Sequence, residues 1–335
     1  MSETKRLLSG MQPTNPRLHL GNYEGALRNW VHLQDSYKMY CCVVDWHALT
    51  TLAHDPGQIA RNAREVAKDY VAAGLDPDKV SIFIQSHVKE HAELHLLFSM
   101  MTPLGWLERV PTYKEKKDLV GAAERESYGL LGYPVLQAAD ILLYKPYGVP
   151  VGKDQAPHLE LSREIGRRFN HLYGEVFPEF VNIIHEDEMR AKVPGLDADE
   201  NGNLRKMSKS YDNCIYLNET ADETAAKIRS AFTTPTKLRK DDPGIPEGCA
   251  VCQYLRLYSA DWETQWEEDR RGERGCMQNK KELTEAINEF LRPMRERRAS
   301  ISDGDIEAIL IRGAEEAREF AAKTMDSVRS AMGIR

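Results

Sequence analysis

Five short apolar runs alternate with longer segments of helical periodicity before residue 185 of this chain. The runs lie at residues 6–8, 40–44, 80–84, 141–144 and 180–184. Short buried strands that alternate with helices are typical of parallel sheets. After each strand the chain must cross back to the opposite end of the sheet before the next parallel strand can begin, and a helix usually makes this crossover. The pattern therefore predicts a doubly wound α/β core with a parallel sheet.

The last third of the chain has a different pattern. After about Tyr216 the strand signals stop, and residues 219–231, 280–291 and 305–332 show helical periodicity rich in Ala, Glu, Leu and Arg. A stretch rich in Asp, Pro and Gly at 241–248 predicts a bend between these helices. We expect an α/β domain over residues 1–215 and a helical domain over 216–335, whose last helix is able to pack back on the first domain.

Composition limits the class of protein. A chain of 335 residues with 41% hydrophobic content can bury a sizeable core, and its net charge of -7 means that contacts with nucleic acid must come from local basic patches. The sequence has no apolar run long enough to cross a membrane, and its first residues lack the apolar core of a secretory signal. These features predict a cytoplasmic protein that does not enter the membrane, with six free cysteines.

The run Lys206-Met207-Ser208-Lys209-Ser210 follows a stretch rich in Gly, Asp and Asn at 195–203. Two cations and two hydroxyls on a loop suit a phosphate chain whose charge rises in a transition state. Taken alone, the run is equally compatible with an ordinary solvated loop.

A second candidate for phosphate binding follows the first predicted strand. Ser9-Gly10-Met11-Gln12-Pro13-Thr14 leads into His19-Leu20-Gly21-Asn22 and then an amphipathic helical pattern. The N–H groups of a helix N-terminus attract anions, Gly21 permits close approach of a nucleotide, and His19 has a donor for the same phosphate. The alternative is a histidine that only caps the helix beside a tight turn.

In this combination and order, the two motifs resemble the signatures of class I aminoacyl-tRNA synthetases, and more specifically of the bacterial tryptophanyl enzymes. Matching segments lie at residues 9–14, 19–22, 44–50, 112–115, 132–142, 149–155 and 206–210. The resemblance implies a Rossmann-type catalytic domain at 1–215, a helical domain on the anticodon side of the tRNA at 216–335, and a homodimer. It also implies that L-tryptophan reacts with ATP, which carries Mg²⁺, to give tryptophanyl-adenylate and pyrophosphate, before transfer to tRNA(Trp).

The same resemblance assigns roles at the nucleotide. Lys206 and Lys209 would stabilise the pyrophosphate, Ser208 would add a hydrogen bond, and Lys114 would reach the phosphates from another loop. The other residues expected to bind ATP are Gln12, Pro13, Thr14, Gly21, Asn22, Gly152, Lys153, Asp154, Val193, Met207 and Ser210. Among them Gly152, Lys153 and Asp154 would contact ribose and adenosine, although many relatives have Glu at the position of Lys153.

The spacing of Tyr133, Gln137 and Asp140 places all three on one face of a helix. A carboxylate in an apolar helix needs a donor, and the indole N–H of tryptophan is a donor that cannot accept. Asp140 is therefore the candidate for tryptophan selection, with a capping or ion-paired acid as the alternative. The resemblance adds the pocket residues Leu8, Val44, His47, Val149, Val151 and Gln155.

Two departures concern this pocket, because many relatives have Met at position 137 and some have Phe at position 8. Tyrosyl enzymes share the Tyr-x-x-x-Gln-x-x-Asp pattern, so this helix alone does not separate the two specificities. The segments at 9–22 and 45–50 favour tryptophan.

The cysteines Cys249, Cys252 and Cys276 suggest a metal site, since two thiolates with two residues between them suit zinc or iron–sulfur ligation. In relatives with a four-cysteine cluster, the ligand positions correspond to Cys249, Asp269, Cys276 and Asn279. We therefore expect no iron–sulfur cluster and no metal, with a three-thiolate site that uses Cys252 as the alternative. His87, His91 and His95 recur every four residues, and for them we expect a solvated helix face rather than a metal site.

Two basic patches are candidates for contact with tRNA phosphates. One is Lys237-Leu238-Arg239-Lys240, and the other comprises Arg292, Arg295, Arg297 and Arg298. Ordinary solvated surface is the alternative for both. Two other functions remain open at this point: a nucleotidyltransferase that forms an adenylate without charging tRNA, and a catalytically silent paralogue, against which the intact Lys206, Ser208 and Lys209 argue.

Overall fold

A five-stranded parallel sheet forms the centre of the fold in the computed structural model, which describes residues 5–53, 55–110, 127–152, 156–184 and 187–334. The strand order is β3-β2-β1-β4-β5, and the strands are β1 (Arg6–Met11), β2 (Lys38–Val43), β3 (Val80–Ile84), β4 (Gly148–Val151) and β5 (Val181–Ile184). The predicted doubly wound α/β class is confirmed. The order reverses at β1, and the carboxyl ends of β1 and β4 flank this switch point, where ligands bind in such folds.

The apolar run at 141–144 was predicted to be a strand, and this was wrong. It is the buried end of a helix that spans Tyr128–Leu143, and the fourth strand follows it at Gly148–Val151. A short apolar run cannot separate a buried strand from a helix that is buried on several sides, which explains the error.

The helices surround this sheet or follow it in the chain. They are α1 (Leu20–Asn22), α2 (Arg28–Leu33), α3 (Asp45–Leu52), α4 (Pro56–Ala72), α5 (Glu90–Ser99), α6 (Leu104–Glu108), α7 (Tyr128–Leu143), α8 (Ala156–Tyr173), α9 (Glu188–Ala191), α10 (Ala221–Ser230), α11 (Ala250–Tyr258), α12 (Trp262–Arg270), α13 (Cys276–Ser300) and α14 (Asp303–Met332). A π-helical turn at Tyr23–Leu27 links α1 to α2, and 3-10 turns lie at Gln85–His87, Lys209–Tyr211 and Pro246–Gly248. The helices predicted at 219–231, 280–291 and 305–332 correspond to α10, α13 and α14.

The contacts divide the described residues into two compact units. The first contains Met1–Pro16, Asn29–His185 and Ile301–Arg335, and the second contains Arg17–Arg28 and Glu186–Ser300. This division differs from the predicted boundary at 215/216. The reason is that the hairpin of β6 (Pro194–Ala198) and β7 (Leu204–Lys206) packs on α11 and α10, whereas α14 packs on β3.

In the first unit, α14 lies against the sheet because Gly313 has no side chain. A Cβ at this position would collide with the carbonyl oxygen of Ile82 in β3. Glu316, one turn further along α14, accepts hydrogen bonds from Lys38 Nζ at 2.8 Å and Ser81 Oγ at 2.5 Å. Close backbone approach at Gly313 and the two hydrogen bonds to Glu316 therefore hold the last helix against the sheet.

The second unit joins the β6–β7 hairpin to a group of helices. Tyr254 on α11 donates its hydroxyl to the carbonyl of Pro194 at 2.7 Å, and Leu196 N donates to the carbonyl of Asn213 at 3.0 Å. Thr220 begins α10 with a capping box to Glu223. No helix in the described parts of either unit has the length and apolar composition needed to cross a membrane.

Candidate active site

His19 caps the short helix α1 in the second unit. Its Nδ1 accepts the backbone N–H of Asn22 at 3.2 Å, and its own backbone N–H donates to Asn22 Oδ1 at 3.1 Å. Backbone bonds from Leu20 N to Ile215 O at 2.9 Å and from Leu217 N to Leu18 O at 2.8 Å attach this segment to the chain that follows the lysine loop. The capping function considered for His19 is therefore present, and it leaves Nε2 for another partner.

The lysine loop (Lys206–Ser210) contacts the N-terminal turn of α1, and Met207 makes this contact. The sulfur of Met207 accepts the backbone N–H of Gly21 at 3.2 Å, and a Cβ on Gly21 would lie 3.4 Å from that sulfur. Met207 and Val193, both expected to bind ATP, are 4% and 3% exposed. Two motifs separated by more than 180 residues thus form one local structure within the second unit.

Asn213 fixes the backbone of the loop, and the sequence reasoning did not identify it. Its Oδ1 accepts Ser208 N at 2.8 Å, while its Nδ2 donates to Lys206 O at 3.1 Å and to Asp197 Oδ1 at 2.6 Å. The side chain is 3% exposed. A polar residue directly before the apolar run 214–217 was the available signal.

The electrostatics of this region favour an anion. Burial, followed by the positive charges of Lys209 and Lys206, lowers the pKa of His19 to about 3. The ring is therefore neutral near pH 7, and since Nδ1 accepts from Asn22, its proton is on Nε2. Lys206 and Ser210 are exposed, and Ser208 and Lys209 are half-buried. The loop thus presents cations and donors of the kind that suit a phosphate chain.

In the first unit, the Asp140 carboxylate is buried on α7 among three donors. Gln85 Nε2 lies 2.7 and 2.9 Å from its two oxygens, His91 Nδ1 lies 2.7 Å from Oδ1, and His47 Nε2 lies 2.8 Å from Oδ2. Burial alone would raise the pKa of Asp140, but the hydrogen bonds from His47 and His91 outweigh burial and lower it below its usual value. The carboxylate is therefore ionised at neutral pH.

The expectation of a solvated histidine face was wrong for His91. This side chain is fully buried against Asp140, because α5 packs on α7. His87 does not belong to the helix at all, since it ends the 3-10 turn before α5. Gln85 and His91 are the two donors that the sequence did not predict.

Most of the other predicted residues can be located in the first unit. Leu8 and Val149 belong to its buried core, with Val44 and Val151 packed against that core. Tyr133 is buried and Gln137 half-buried on α7, and the rings of Tyr133 and His47 are 6.5 Å apart. The positions that follow β1 and β4 hold Gln12, Pro13, Thr14 and Gly152. Lys114, Lys153, Asp154 and Gln155 lie outside the described residues.

Asp269 is one of the four positions that correspond to cluster ligands in some relatives, and here it forms an ion pair. Asp269 is 3.3 Å from Lys237 Nζ and accepts Asn279 Nδ2 at 3.0 Å. Cys249 and Cys252 are buried, and Cys252 Sγ accepts Asn279 Nδ2 at 3.9 Å. Lys237 is only 8% exposed, so its assignment to a surface patch for tRNA is wrong. No cluster of three or more His, Cys, Asp or Glu suited to a metal occurs in the described ranges.

Comparison with known proteins identifies the family. A family model described as class I tRNA synthetases for W and Y matches residues 2–292. A tryptophan–tRNA ligase of Thermotoga maritima is 45% identical over 98% of this chain and 99% of that protein, and one of Aquifex aeolicus is 41% identical over 98% and 100%. A crystal structure of tryptophanyl-tRNA synthetase from Campylobacter jejuni, complexed with ADP and tryptophan, superposes with a TM-score of 0.85 at 33% identity over 98% of this chain and 99% of that chain. The predicted resemblance is confirmed, and the chain belongs to the class I tRNA synthetases of the tryptophan and tyrosine group.

Proposed function

We propose that this chain is a tryptophan–tRNA ligase, which activates L-tryptophan with ATP and transfers it to tRNA(Trp). The observation that carries the proposal is the contact between the lysine loop and the capped helix, from Met207 Sδ to Gly21 N at 3.2 Å. It joins the two signature motifs of the family in one structure. The similarity to tryptophan–tRNA ligases along the whole chain supports tryptophan as the amino acid.

The first step is an in-line displacement at the α-phosphorus of ATP. A carboxylate oxygen of tryptophan forms the new bond, and the bond to the bridging oxygen breaks, so pyrophosphate leaves with the electron pair. Lys206 and Lys209 stabilise the charge that grows on pyrophosphate, and the Nε2–H of neutral His19 supplies a further donor. Asn213 holds the loop backbone, which keeps these groups in position.

Mg²⁺ would enter with ATP. In nucleotide sites this ion is bound mainly by phosphate oxygens and water, so it needs few protein ligands. We assign Mg²⁺ no protein ligand.

Selection of tryptophan would rest on Asp140. An ionised, buried carboxylate favours a ligand that only donates, and the indole N–H is such a group. A site built around one hydrogen bond discriminates strongly against ligands that lack it, by about 10⁴-fold in favourable cases. Leu8, Val44, Val149 and Val151 provide apolar surface in the same unit.

We further propose a homodimer that works in the cytoplasm, where tRNA is charged for translation. The first unit has an apolar surface on which Leu96, Met100, Leu104 and Tyr128 are between 53% and 74% exposed. A cavity of about 270 Å³ beside Tyr128 is lined by Leu49, His95 and Leu136. Leu96 and Met100 are four residues apart and so share one helical face, and exposed apolar patches are typical of protein interfaces. Sedimentation analysis of the wild type and of Met100→Glu tests this proposal, since the charge should favour monomers.

Two assays test the proposed reaction. Tryptophan-dependent exchange of pyrophosphate into ATP measures the first step, and transfer of labelled tryptophan to tRNA(Trp) measures the second. Exchange without transfer would favour a nucleotidyltransferase that does not charge tRNA. Exchange with tyrosine but not with tryptophan would overturn the specificity.

A further inference from the structure

The three donors around Asp140 differ in how their other ends are held. Gln85 Oε1 accepts the backbone N–H of Trp46 at 3.1 Å, so the amide is fixed on both sides. His91 Nε2 is 2.8 Å from the hydroxyl of Tyr144, so this ring is fixed on both sides as well. Gln85, His91 and Tyr144 are all completely buried.

Tyr144 is itself held in an aromatic group. Its ring stacks on Tyr40 with centroids 4.4 Å apart and lies 5.9 Å from the ring of Phe83. A rotation of His91 away from Asp140 would therefore break two hydrogen bonds inside a packed core. Gln85 and His91 form a rigid base beneath the carboxylate.

His47 is held on one side only. Its Nε2 bonds to Asp140 Oδ2, whereas within the described parts of the chain its Nδ1 has no hydrogen-bond partner. The ring borders Tyr133, a predicted pocket residue, with centroids 6.5 Å apart. His47 is therefore the donor that can leave at the lowest cost.

The carboxylate has no acceptor position to spare. An ionised carboxylate offers about four lone-pair sites, and the contacts to Gln85, His91 and His47 already use them. An indole N–H could bond to Asp140 only if one protein donor withdrew. Rotation of a side chain at the start of α3 requires less rearrangement than movement of the buried base.

We propose that tryptophan binds by donor exchange at Asp140, in which the indole N–H replaces His47 Nε2–H on Oδ2 while Gln85 and His91 keep their hydrogen bonds. Gln85 and His91 are then positioning residues for specificity, because they hold the carboxylate in the orientation that accepts the indole. This inference rests on the proposed function and deepens it.

A crystal structure of the full-length protein with tryptophan tests the exchange directly. The distance from His47 Nε2 to Asp140 Oδ2 should exceed hydrogen-bonding range, with the indole nitrogen in its place and the bonds from Gln85 and His91 retained. A complex in which His47 keeps its bond to Asp140 overturns the proposal.

A kinetic ratio tests the positioning role. Pyrophosphate exchange is measured with tryptophan and with β-(3-benzothienyl)alanine, in which sulfur replaces the indole N–H, and the two values of kcat/KM are divided. Gln85→Met and His91→Leu should lower this ratio by about 10-fold or more, because the carboxylate loses a fixed donor. A purely structural role would reduce both values equally and leave the ratio unchanged, which would overturn the assignment.

Two further variants sharpen the test. His91→Gln keeps an N–H donor and should recover at least part of the ratio, which also covers the case in which His91→Leu does not fold. His47→Leu should leave the ratio at or above that of the wild type, since it removes the donor that competes with the indole. A ratio that falls in His47→Leu as far as in Gln85→Met would overturn the exchange. Failure of the proposed function is distinct, because the wild type would then show no tryptophan-dependent exchange.

Discussion

The sulfur of Met207 accepts the backbone N–H of Gly21 at 3.2 Å, so the lysine loop lies directly on the first turn of α1. The free N–H groups at a helix N-terminus attract anions. In this structure one of these groups, the N–H of Gly21, donates to the thioether sulfur of Met207. This contact holds the lysine loop against the first turn of α1.

Gly21→Ala tests this close approach. The new Cβ would lie 3.0 Å from Nδ1 and 3.1 Å from Cε1 of His19, so this ring would have to shift, whereas Met207 Sδ at 3.4 Å is at contact distance. We expect kcat/KM for ATP in pyrophosphate exchange to fall about 10-fold or more, as overpacking costs ~1–3 kcal/mol. Gly25→Ala is the matched control, since its Cβ would meet only Ala191 O at 3.6 Å. Equal effects of the two changes would contradict a specific role for Gly21.

Asn213 provides a second prediction about the loop. Asn213→Ala removes three hydrogen bonds, to Ser208 N, Lys206 O and Asp197. We expect kcat of pyrophosphate exchange to fall about 10-fold or more while KM for tryptophan stays constant, because only positioning of the lysines is lost. Asn213→Asp should be worse than Ala, since it would place a second carboxylate against Asp197. A larger change in tryptophan KM than in kcat would be inconsistent with this role.

Hydrophobic pattern predicts those parts of the fold that depend on local sequence. Strands β1, β2, β3 and β5 and helices α10, α13 and α14 overlap the segments predicted from periodicity. The fourth strand was misplaced because the end of α7 is apolar on all sides. The division into two compact units differs from the boundary expected at 215/216, because it depends on contacts between distant segments, such as that of Gly313 with Ile82.

In the candidate site, too, local sequence patterns do not predict contacts between distant segments. Motifs locate Met207, Gly21 and Asp140, because their chemistry is visible in short segments. The bonds made by Gln85, His91 and Asn213 become visible only in the fold, since their partners come from other elements. The four-residue spacing of His91 with His87 and His95, and the position of Asn213 before an apolar run, do not indicate those partners. A buried polar side chain requires a partner, but sequence does not say which one.

The pH dependence of stability should report on His19. Its pKa is about 3 in the folded protein, and an unfolded histidine titrates near 6.5. Between these values the unfolded chain binds a proton that the folded chain does not, so the free energy of unfolding decreases as pH falls below about 6.5. Above that pH His19 has no such effect.

His19→Asn should make this decrease shallower, by up to ~1.4 kcal/mol per pH unit, because asparagine does not titrate. Urea unfolding of both proteins between about pH 4.5 and 7.5 measures the difference. Identical slopes would show that His19 is not held in the neutral form.

The basic patches lead to a prediction about tRNA. Arg239 and Lys240 are exposed, whereas Arg295 donates to Asn288 Oδ1 and Thr224 Oγ1, each at 2.8 Å. Charge reversal at Arg295 would therefore disturb the packing of α13 on α10 as well as any tRNA contact. Arg239→Glu with Lys240→Glu should lower kcat/KM for tRNA charging by about 10-fold or more, as phosphate contacts are lost.

The control for charge reversal is Lys281→Glu, which reverses one charge on α13 at a side chain that is 78% exposed. Pyrophosphate exchange should remain at the wild-type level in both proteins. Equal loss of charging in the control would show a general charge effect, and loss of exchange would show damage to the first step.

Lys209→Ala tests the catalytic role of the loop. If Lys209 acts mainly on the charge of the departing pyrophosphate, its removal should slow adenylate formation by roughly 10²-fold while tryptophan binding persists. Single-turnover formation of the adenylate gives the rate, and equilibrium dialysis with tryptophan gives the affinity. Lys281→Ala removes the same charge from an exposed position and should change neither quantity. An unchanged rate of adenylate formation in Lys209→Ala would refute this role, because a lysine that stabilises the transition state must slow the reaction when it is removed.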